Sequence, residues 1–289
     1  MPTLRRNPTA QVVNVDDYFF LVDCAEGTQM QMRRFEIGMQ KIENIFISHL
    51  HGDHYLGLPG YLQTLHLLGR SKKMTIHGPE ALQRLIMDHF TITNSTPRFP
   101  IEFVTVAHEH KLIFENKLVE VWSIPLKHKI PTTGFLFRQK PKLRNIITSM
   151  LKEYRIPVYW IQRIKEGEDY VRENGEVIPN RELTLPPAAL KSYAFCSDTA
   201  YNESIIPIIQ GVDLLYHEAS FLENLRDRAI ETLHSTAADA GKIATAANVK
   251  KLAIGHFSAR YKEVDELVSQ AKELFNNVVA TEDGLVLEV

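Results

Sequence analysis

Ser48-His49-Leu50-His51-Gly52-Asp53-His54 closes an apolar stretch, residues 44–48, that reads as a strand. It sets four strong metal ligands, His49, His51, Asp53 and His54, within six residues. Neutral imidazoles and a carboxylate together suit zinc and its neighbours in the transition series. In a helix His49 and His51 would point about 200° apart, so the run is expected to leave the strand as a loop and fold its ligands into one pocket. Gly52 permits the tight turn this needs. A loop enriched in histidine by chance is the bland alternative, but three histidines and an aspartate at this density have no packing purpose.

One loop supplies too few ligands for two closed metal sites. Three further residues share its grammar, an apolar run followed by a ligand. His128 follows 118–126, Asp198 follows Tyr193-Ala194-Phe195-Cys196-Ser197, and His256 follows Lys251-Leu252-Ala253-Ile254-Gly255. The ends of neighbouring strands converge at one edge of a sheet, where α/β proteins build sites. The expected division is His49, His51 and His128 on one metal and Asp53, His54 and His256 on the other, with Asp198 bridging. A shared carboxylate and hydroxide between metals roughly 3.5–4 Å apart suit phosphodiester and amide hydrolysis. Taken singly, a strand-end histidine is as readily a capped or surface residue; the set together with the main loop carries the reading.

Glu218 follows an apolar strand in Leu214-Leu215-Tyr216-His217-Glu218, and His234 precedes an alanine-rich helix over 237–248 that Ser235 or Thr236 is able to cap. A Glu218–His234 pair near a leaving oxygen forms a general acid, with the carboxylate orienting and charging the imidazole. The alternative is a surface ion pair for Glu218 and a helix-leading polar residue at His234. His66, His77, His89, His108 and His110 lack the strand-then-ligand grammar and read as structural or solvated.

These residues resemble a known family. The His-x-His-x-Asp-His loop with later His, Asp and His is similar to the metallo-β-lactamase superfamily. Leu21-Val22-Asp23-Cys24-Ala25-Glu26-Gly27-Thr28-Gln29, Tyr216-His217-Glu218-Ala219-Ser220, His234-Ser235-Thr236-Ala237 and His256-Phe257-Ser258-Ala259-Arg260-Tyr261 narrow the resemblance to its ribonuclease Z family, the tRNA 3′-processing endonucleases. The Ser-x-Arg-Tyr extension is the most specific of these, and the resemblance runs over 2–287. It implies an α/β (α+β) fold, a four-layer αββα sandwich over 1–289 with an inserted arm over 138–191, and two zinc ions per subunit. It also implies attack by a metal-held hydroxide on the phosphorus at the tRNA–trailer junction, leaving a tRNA 3′-hydroxyl and a trailer 5′-phosphate. Asp53 would bind metal and take part in proton transfer, while Glu218 and His234 would protonate the leaving oxygen. A homodimer is the family's usual form, one subunit's arm holding a pre-tRNA whose end enters the other's site.

The resemblance also marks RNA contacts. Met1-Pro2-Thr3-Leu4-Arg5-Arg6-Asn7 is similar to the family's Pro-x-Lys-x-Arg-Asn loop, with Leu4 in the lysine position, and assigns Arg5, Arg6 and Asn7 to the tRNA end. Ser258 and Arg260 join them. The apolar first strand and Gly-rich turn that precede this loop in the family are absent, so the first edge strand is expected to be missing. In the arm, residues 138–165 hold eight Lys/Arg against one acid, Glu153, interleaved with Tyr154, Tyr159 and Trp160. That mixture suits phosphate contact and stacking, and Lys140, Lys142 and Arg144 are its expected contacts. The arm lacks the family's Gly-Pro pair, and an acidic stretch over 166–176 follows, so a solvated hairpin with locally paired charges is the competing picture.

The whole chain sets bounds. A net charge of −2 over 289 residues argues against wholesale nucleic-acid coating and confines RNA binding to local patches. Two cysteines, Cys24 and Cys196, make no Cys-x-x-Cys motif and fit a reduced cytoplasm. The N-terminal residues lack a signal peptide's apolar core and no run approaches a membrane span. Strand patterns fall at 10–14, 18–22, 44–48, 74–77, 103–107, 119–126, 134–138, 192–196, 213–216, 251–255 and 278–280, and helical ones at 29–35, 61–68, 80–90, 237–248 and 262–274. Strand groups flanked by helices fit helix-covered sheets. Two other functions stay open: a hydrolase of the same fold acting on another phosphodiester or a lactone, and a non-catalytic RNA-binding relative.

Overall fold

Side chains alternate across each strand, and here the central strands are largely buried on both faces. The computed structural model describes residue 3 and residues 5–289; Met1, Pro2 and Leu4, the last in the expected lysine position, lie outside the described residues. The backbone separates into two compact units, Met1–Arg138 with Lys191–Val289, and Gln139–Leu190.

The larger unit opens with β1 (Gln11–Val15), β2 (Tyr18–Val22), β3 (Ile42–Phe46), β4 (Met74–Gly78) and β5 (Ile101–Thr105), which form one sheet in that order. β1 pairs antiparallel with β2, and the rest are parallel. The chain continues through β6 (Leu112–Glu115), β7 (Val119–Leu126) and β8 (Thr132–Gln139). The smaller unit then carries β9 (Asn145–Ile146), β10 (Tyr170–Val171), β11 (Val177–Ile178) and β12 (Thr184–Leu185). The larger unit resumes with β13 (Ser192–Cys196), β14 (Leu214–Glu218), β15 (Lys251–Gly255) and β16 (Val278–Ala280). Its second sheet runs β16-β15-β14-β13-β8-β7-β6, with β13 to β16 parallel.

The alternation sorts the layers. Phe20, Val22 and Phe46 of the first sheet meet Phe135, Phe137, Phe195, Tyr216 and Ala253 of the second in one buried cluster between the sheets. Their neighbours Leu21, Ile45 and Ile76 face outward onto helices Thr28–Arg34, Leu58–Leu67 and Ala81–Ile92. On the other side Leu215, Leu252 and Ile254 face helices Ala237–Ala246 and Asp265–Lys272. This is the αββα sandwich. Thr236 caps helix Ala237–Ala246, its hydroxyl accepting from the Asp239 amide while the Asp239 carboxylate accepts from the Thr236 amide.

Differences from the sequence expectation have local causes. The strand expected at 44–48 is Ile42–Phe46, because the Ser48 amide turns from the ladder to donate to Asp23 Oδ1 at 2.8 Å. The ligand run, expected as a loop throughout, becomes a helical turn, Gly52–Tyr55, preceded by His51. There a Cβ on Gly52 would lie 2.7 Å from Leu56 Cδ1. β6 and helix Arg226–Thr232 were not expected, the one being a short apolar run, Leu-Ile-Phe-Glu, without alternation and the other, Arg-Asp-Arg-Ala-Ile-Glu-Thr, having no apolar period.

The smaller unit has its own core of Ile156, Ile164, Tyr170, Ile178 and Leu183. Antiparallel pairs β9–β12 and β10–β11 and helices Thr148–Glu153, Ile161–Lys165 and Asn180–Leu183 surround it.

Candidate metal centre

Six elements of the larger unit deliver polar side chains at their C-terminal ends. Asp23 follows β2, the run from His49 to His54 follows β3, and His128 follows β7. Asp198 follows β13, Glu218 closes β14, and His256 follows β15. Each apolar strand buries its own length and releases its polar terminus into the space beyond the sheet edge.

Two sets of donors result, and Asp198, His234 and His256 form a third grouping that overlaps them. One ligand atom each from His49, His51, His128 and Asp198 lies within 4.8 Å of the others, and the same holds for Asp53, His54 and His256. His49 Nε2 is 3.1 Å from His51 Nδ1, and His128 Nε2 is 3.2 Å from the same atom. The Asp198 carboxylate is divided between the sets. Oδ2 is 3.6 Å from His49 Nε2 and from His128 Nε2, whereas Oδ1 is 3.3 Å from His54 Nε2 and 3.2 Å from His256 Nε2.

A cation fits this arrangement. His54 Nε2 is buried and makes no hydrogen bond, although Asp198 Oδ1 is only 3.3 Å away. The two atoms face a common centre rather than each other, as ligands of one ion do. The ring nitrogens of His49 and His128 also converge on His51 Nδ1, a crowding that a shared cation would suit. Nitrogen with carboxylate oxygen is a donor set for zinc or a related metal.

The opposite edges of the rings are fixed by hydrogen bonds, which sets the nitrogen each presents. Asp23 Oδ2 accepts from His54 Nδ1 at 2.7 Å and from Ser48 Oγ at 3.0 Å. The Ser48 hydroxyl also contacts His49 Nδ1 at 2.9 Å. His128 Nδ1 donates to the Leu233 carbonyl at 2.9 Å, and Ser220 Oγ meets His256 Nδ1 at 3.1 Å. Asp23, Leu233 and His256 have φ of 57°, 55° and 55°, a left-handed backbone that costs non-glycine residues roughly 1–3 kcal/mol each.

Burial opposes charge on His51 and, with His49 and His128 nearby, lowers its pKa to about 4. His54 behaves oppositely: burial disfavours its charged form, but Asp198 and Asp23 outweigh burial and raise its pKa well above the ordinary value. A hydrogen bond from His256 holds Asp53 well below the usual carboxylate range.

Beside the donor sets, Glu218 is fully buried. Its Oε1 accepts from the Thr199 amide at 2.6 Å and from His234 Nδ1 at 2.8 Å. Burial disfavours the imidazolium of His234, but Glu218 prevails and raises its pKa to about 9. The ring of His234 stands 4.9 Å from that of His128 and 5.5 Å from that of His256.

Other expected residues are engaged elsewhere. Arg5 pairs with Glu263 at 3.5 Å, and Asn7 donates its amide and side chain to Asp283 Oδ2 at 3.0 and 2.7 Å. Arg6 reaches the carbonyls of Ser258 and Tyr261. Arg260 is exposed, with its Nε on Ser258 Oγ at 3.2 Å and its guanidinium over Phe221. In the smaller unit, Arg144 Nε donates to Thr184 Oγ1 at 2.7 Å and so ties β9 to β12. Lys142 is exposed and Lys140 half-buried. Sequence reasoning assigned no role to Asp23, Ser48, Ser220 or the Leu233 carbonyl. Asp23 alone carried a signal, an acid ending a buried strand inside a quoted motif. His217, also without a role, is buried with Nδ1 on the Glu218 carbonyl at 2.7 Å.

Comparison with known proteins bears on this site. A family profile described as anti-Pycsar protein Apyc1 matches residues 3–96. A ribonuclease Z of Parabacteroides distasonis is 47% identical over 100% of this chain and 95% of its own. A ribonuclease Z of Bacteroides thetaiotaomicron is 44% identical over 100% of this chain and 92% of its own. Among solved structures, the short form of human tRNase Z aligns with a TM-score of 0.70 at 24% identity, covering 99% of this chain and 94% of that one. The metallo-β-lactamase fold protein YhfI of Bacillus subtilis aligns with a TM-score of 0.68 at 17% identity, covering 98% and 92%. At such identities the structural likeness shows the fold, that of the metallo-β-lactamases.

Proposed function

This chain belongs to the ribonuclease Z family, and on that premise we propose that it removes the 3′ trailer of precursor tRNA at a two-zinc centre. It is a tRNA 3′-processing endoribonuclease. The observation that supports the two-metal reading is the divided carboxylate of Asp198, one oxygen toward His49 and His128 and the other toward His54 and His256. His49, His51 and His128 would hold one ion, Asp53, His54 and His256 the other. Bound there, the pair would supply Lewis acidity to the phosphodiester and make a water nucleophilic at neutral pH.

The protein's own groups divide the remaining work. Asp53, with its side chain 29% exposed beside His256, is placed both to hold metal and to take part in proton transfer. His234 carries its proton at neutral pH because Glu218 stabilises the imidazolium. With Nδ1 committed to Glu218, Nε2 is left to give a proton to the departing 3′-oxygen, so that the tRNA leaves with a 3′-hydroxyl and the trailer keeps the phosphate. The burial of Glu218 excludes water that would weaken this pairing.

The smaller unit is proposed to dock the tRNA. Lys142, Lys152 and Arg155 are exposed and Tyr159 is 72% exposed, an arrangement suited to phosphate contact with base stacking. Arg5, Asn7, Ser258 and Arg260 are proposed for the tRNA end, whereas the Arg6 guanidinium is committed to the Ser258 and Tyr261 carbonyls. A homodimer, the form the family resemblance implies, is part of the same proposal. No helix of the described residues is long and apolar enough to cross a membrane. A cytoplasmic setting is in keeping with the free, buried thiols of Cys24 and Cys196.

Cleavage of a 3′-extended pre-tRNA, mapped to the nucleotide with zinc and with a chelator, tests this reading. A zinc-dependent cut just after the discriminator base is expected. Folded, zinc-loaded protein that leaves the RNA intact would overturn it.

A further inference from the structure

The short segment 3–9 touches both sides of one donor set. Thr3 and Arg6 close a turn, the Arg6 amide donating to Thr3 Oγ1 at 2.9 Å. The turn aims the Arg6 side chain at the loop after β15. Nη2 donates to the Tyr261 carbonyl at 2.6 Å and to the Ser258 carbonyl at 3.3 Å, and the guanidinium lies 5.8 Å from the centre of the Phe257 ring. Nη1 is buried without a hydrogen bond. Asn7 then anchors to Asp283, and the Thr9 amide donates to the Asp53 carbonyl at 3.3 Å. Thus the segment spans from the backbone of Asp53 to the loop of His256, two residues of a single donor set. Among the described residues its hydrogen bonds reach Asp53 and the loop of His256, and none joins it to His49, His51 or His128.

The loop it holds is strained. His256 has φ of 55°, and its carbonyl accepts from Ser220 Oγ at 2.8 Å. A non-glycine residue persists in that conformation only where its surroundings over-determine it. Arg6 sets a charged donor on the Ser258 and Tyr261 carbonyls that follow, and a charge-assisted hydrogen bond is roughly twice as strong as a neutral one. Its committed guanidinium and buried Nη1 also leave it poorly disposed toward an RNA phosphate.

We propose that Arg6 is a positioning residue. By holding the Ser258 and Tyr261 carbonyls it fixes the loop of His256 and so selectively sets the metal position formed by Asp53, His54 and His256. This rests on the two-metal reading above. Loss of an outer-shell partner lowers metal affinity by about 10–100-fold.

The test is titration of the zinc-loaded protein with a chelator, counting the zinc released. Arg6→Ala is expected to give up one equivalent at about tenfold lower chelator strength than wild type, with the second unchanged. Its turnover of bis(p-nitrophenyl) phosphate, too small to need the tRNA-end contacts, should fall with the loss of that equivalent. Release curves that superimpose on wild type, or both equivalents weakening together, would overturn the inference. So would unchanged diester turnover with only pre-tRNA affinity reduced, which marks an RNA contact. Should the alanine variant fail to fold, Arg6→Lys serves. Lysine keeps the charge but not the planar fork, so easier release of one equivalent supports positioning and wild-type release overturns it. A wild-type protein holding fewer than two equivalents would overturn the two-metal reading itself, and the inference with it.

Discussion

At the metal centre His54 is fully buried, its ring held between Asp23 and Asp198, whereas in the smaller unit Tyr159 stands 72% exposed. The contrast extends to the charges. Asp23 and Glu218 are buried and hydrogen-bonded to two residues each, and the buried Asp198 accepts from Ser197 Oγ. Arg163 and Arg172 pair at the surface with Glu168 and Glu176, close in sequence. Buried polar groups act in a low dielectric, where geometry decides their energy. Surface pairs are screened and individually worth about 0–1 kcal/mol. Chemistry at the centre therefore depends on single atoms, while binding by the arm is expected to be spread over many weak contacts.

The sharpest way to break this comparison is Asp53→Ala. Cleavage should disappear while pre-tRNA affinity stays near wild type, measured by single-turnover cleavage and a binding titration. Wild-type cleavage would remove Asp53 from the chemistry and undo the assignment of the centre. A smaller effect is expected one shell out, at Asp23→Asn. The amide retains shape but lacks the charge that accepts from His54 Nδ1, so zinc affinity should fall by about 10–100-fold. Competition with a chelator measures this, and an unchanged affinity would mean that Asp23 only shapes the backbone.

The arm should respond differently again. Arg138 and Ser192 are register partners on β8 and β13, so a tight turn is able to replace Gln139–Leu190 with the loss of only the last residue of β8. That deletion should weaken pre-tRNA binding roughly tenfold or more, since a stacked base contributes roughly 1–3 kcal/mol. Small-diester turnover should persist. Pre-tRNA affinity unchanged by the deletion would take the arm out of recognition.

How much was readable varies with sequence distance. The order of strands and helices in the larger unit followed largely from apolar periodicity, although β6 lacked alternation and helix Arg226–Thr232 was too polar to register, and the short elements of the smaller unit were not read at all. His49, His51, Asp53 and His54 announce themselves by proximity, and the structure brings His128, Asp198 and His256 to the same place. Arg144 looked like an RNA contact because basic residues cluster around it, yet its Nε bonds to Thr184, forty residues on. A charge pattern does not distinguish a side chain turned inward from one turned to solvent.

The sequence by itself determined what depends on local order: the alternation that makes strands two-faced, the ligand run at a strand end, and the family motifs. Tertiary structure alone decided which nitrogen each histidine presents, which oxygen of Asp198 serves which set, and that Arg6 reaches Tyr261 across 255 positions. Periodicity records which face of an element is buried, but a hydrogen bond between distant loops depends on angles and sub-ångström distances that exist only once both sheets have closed on their shared core.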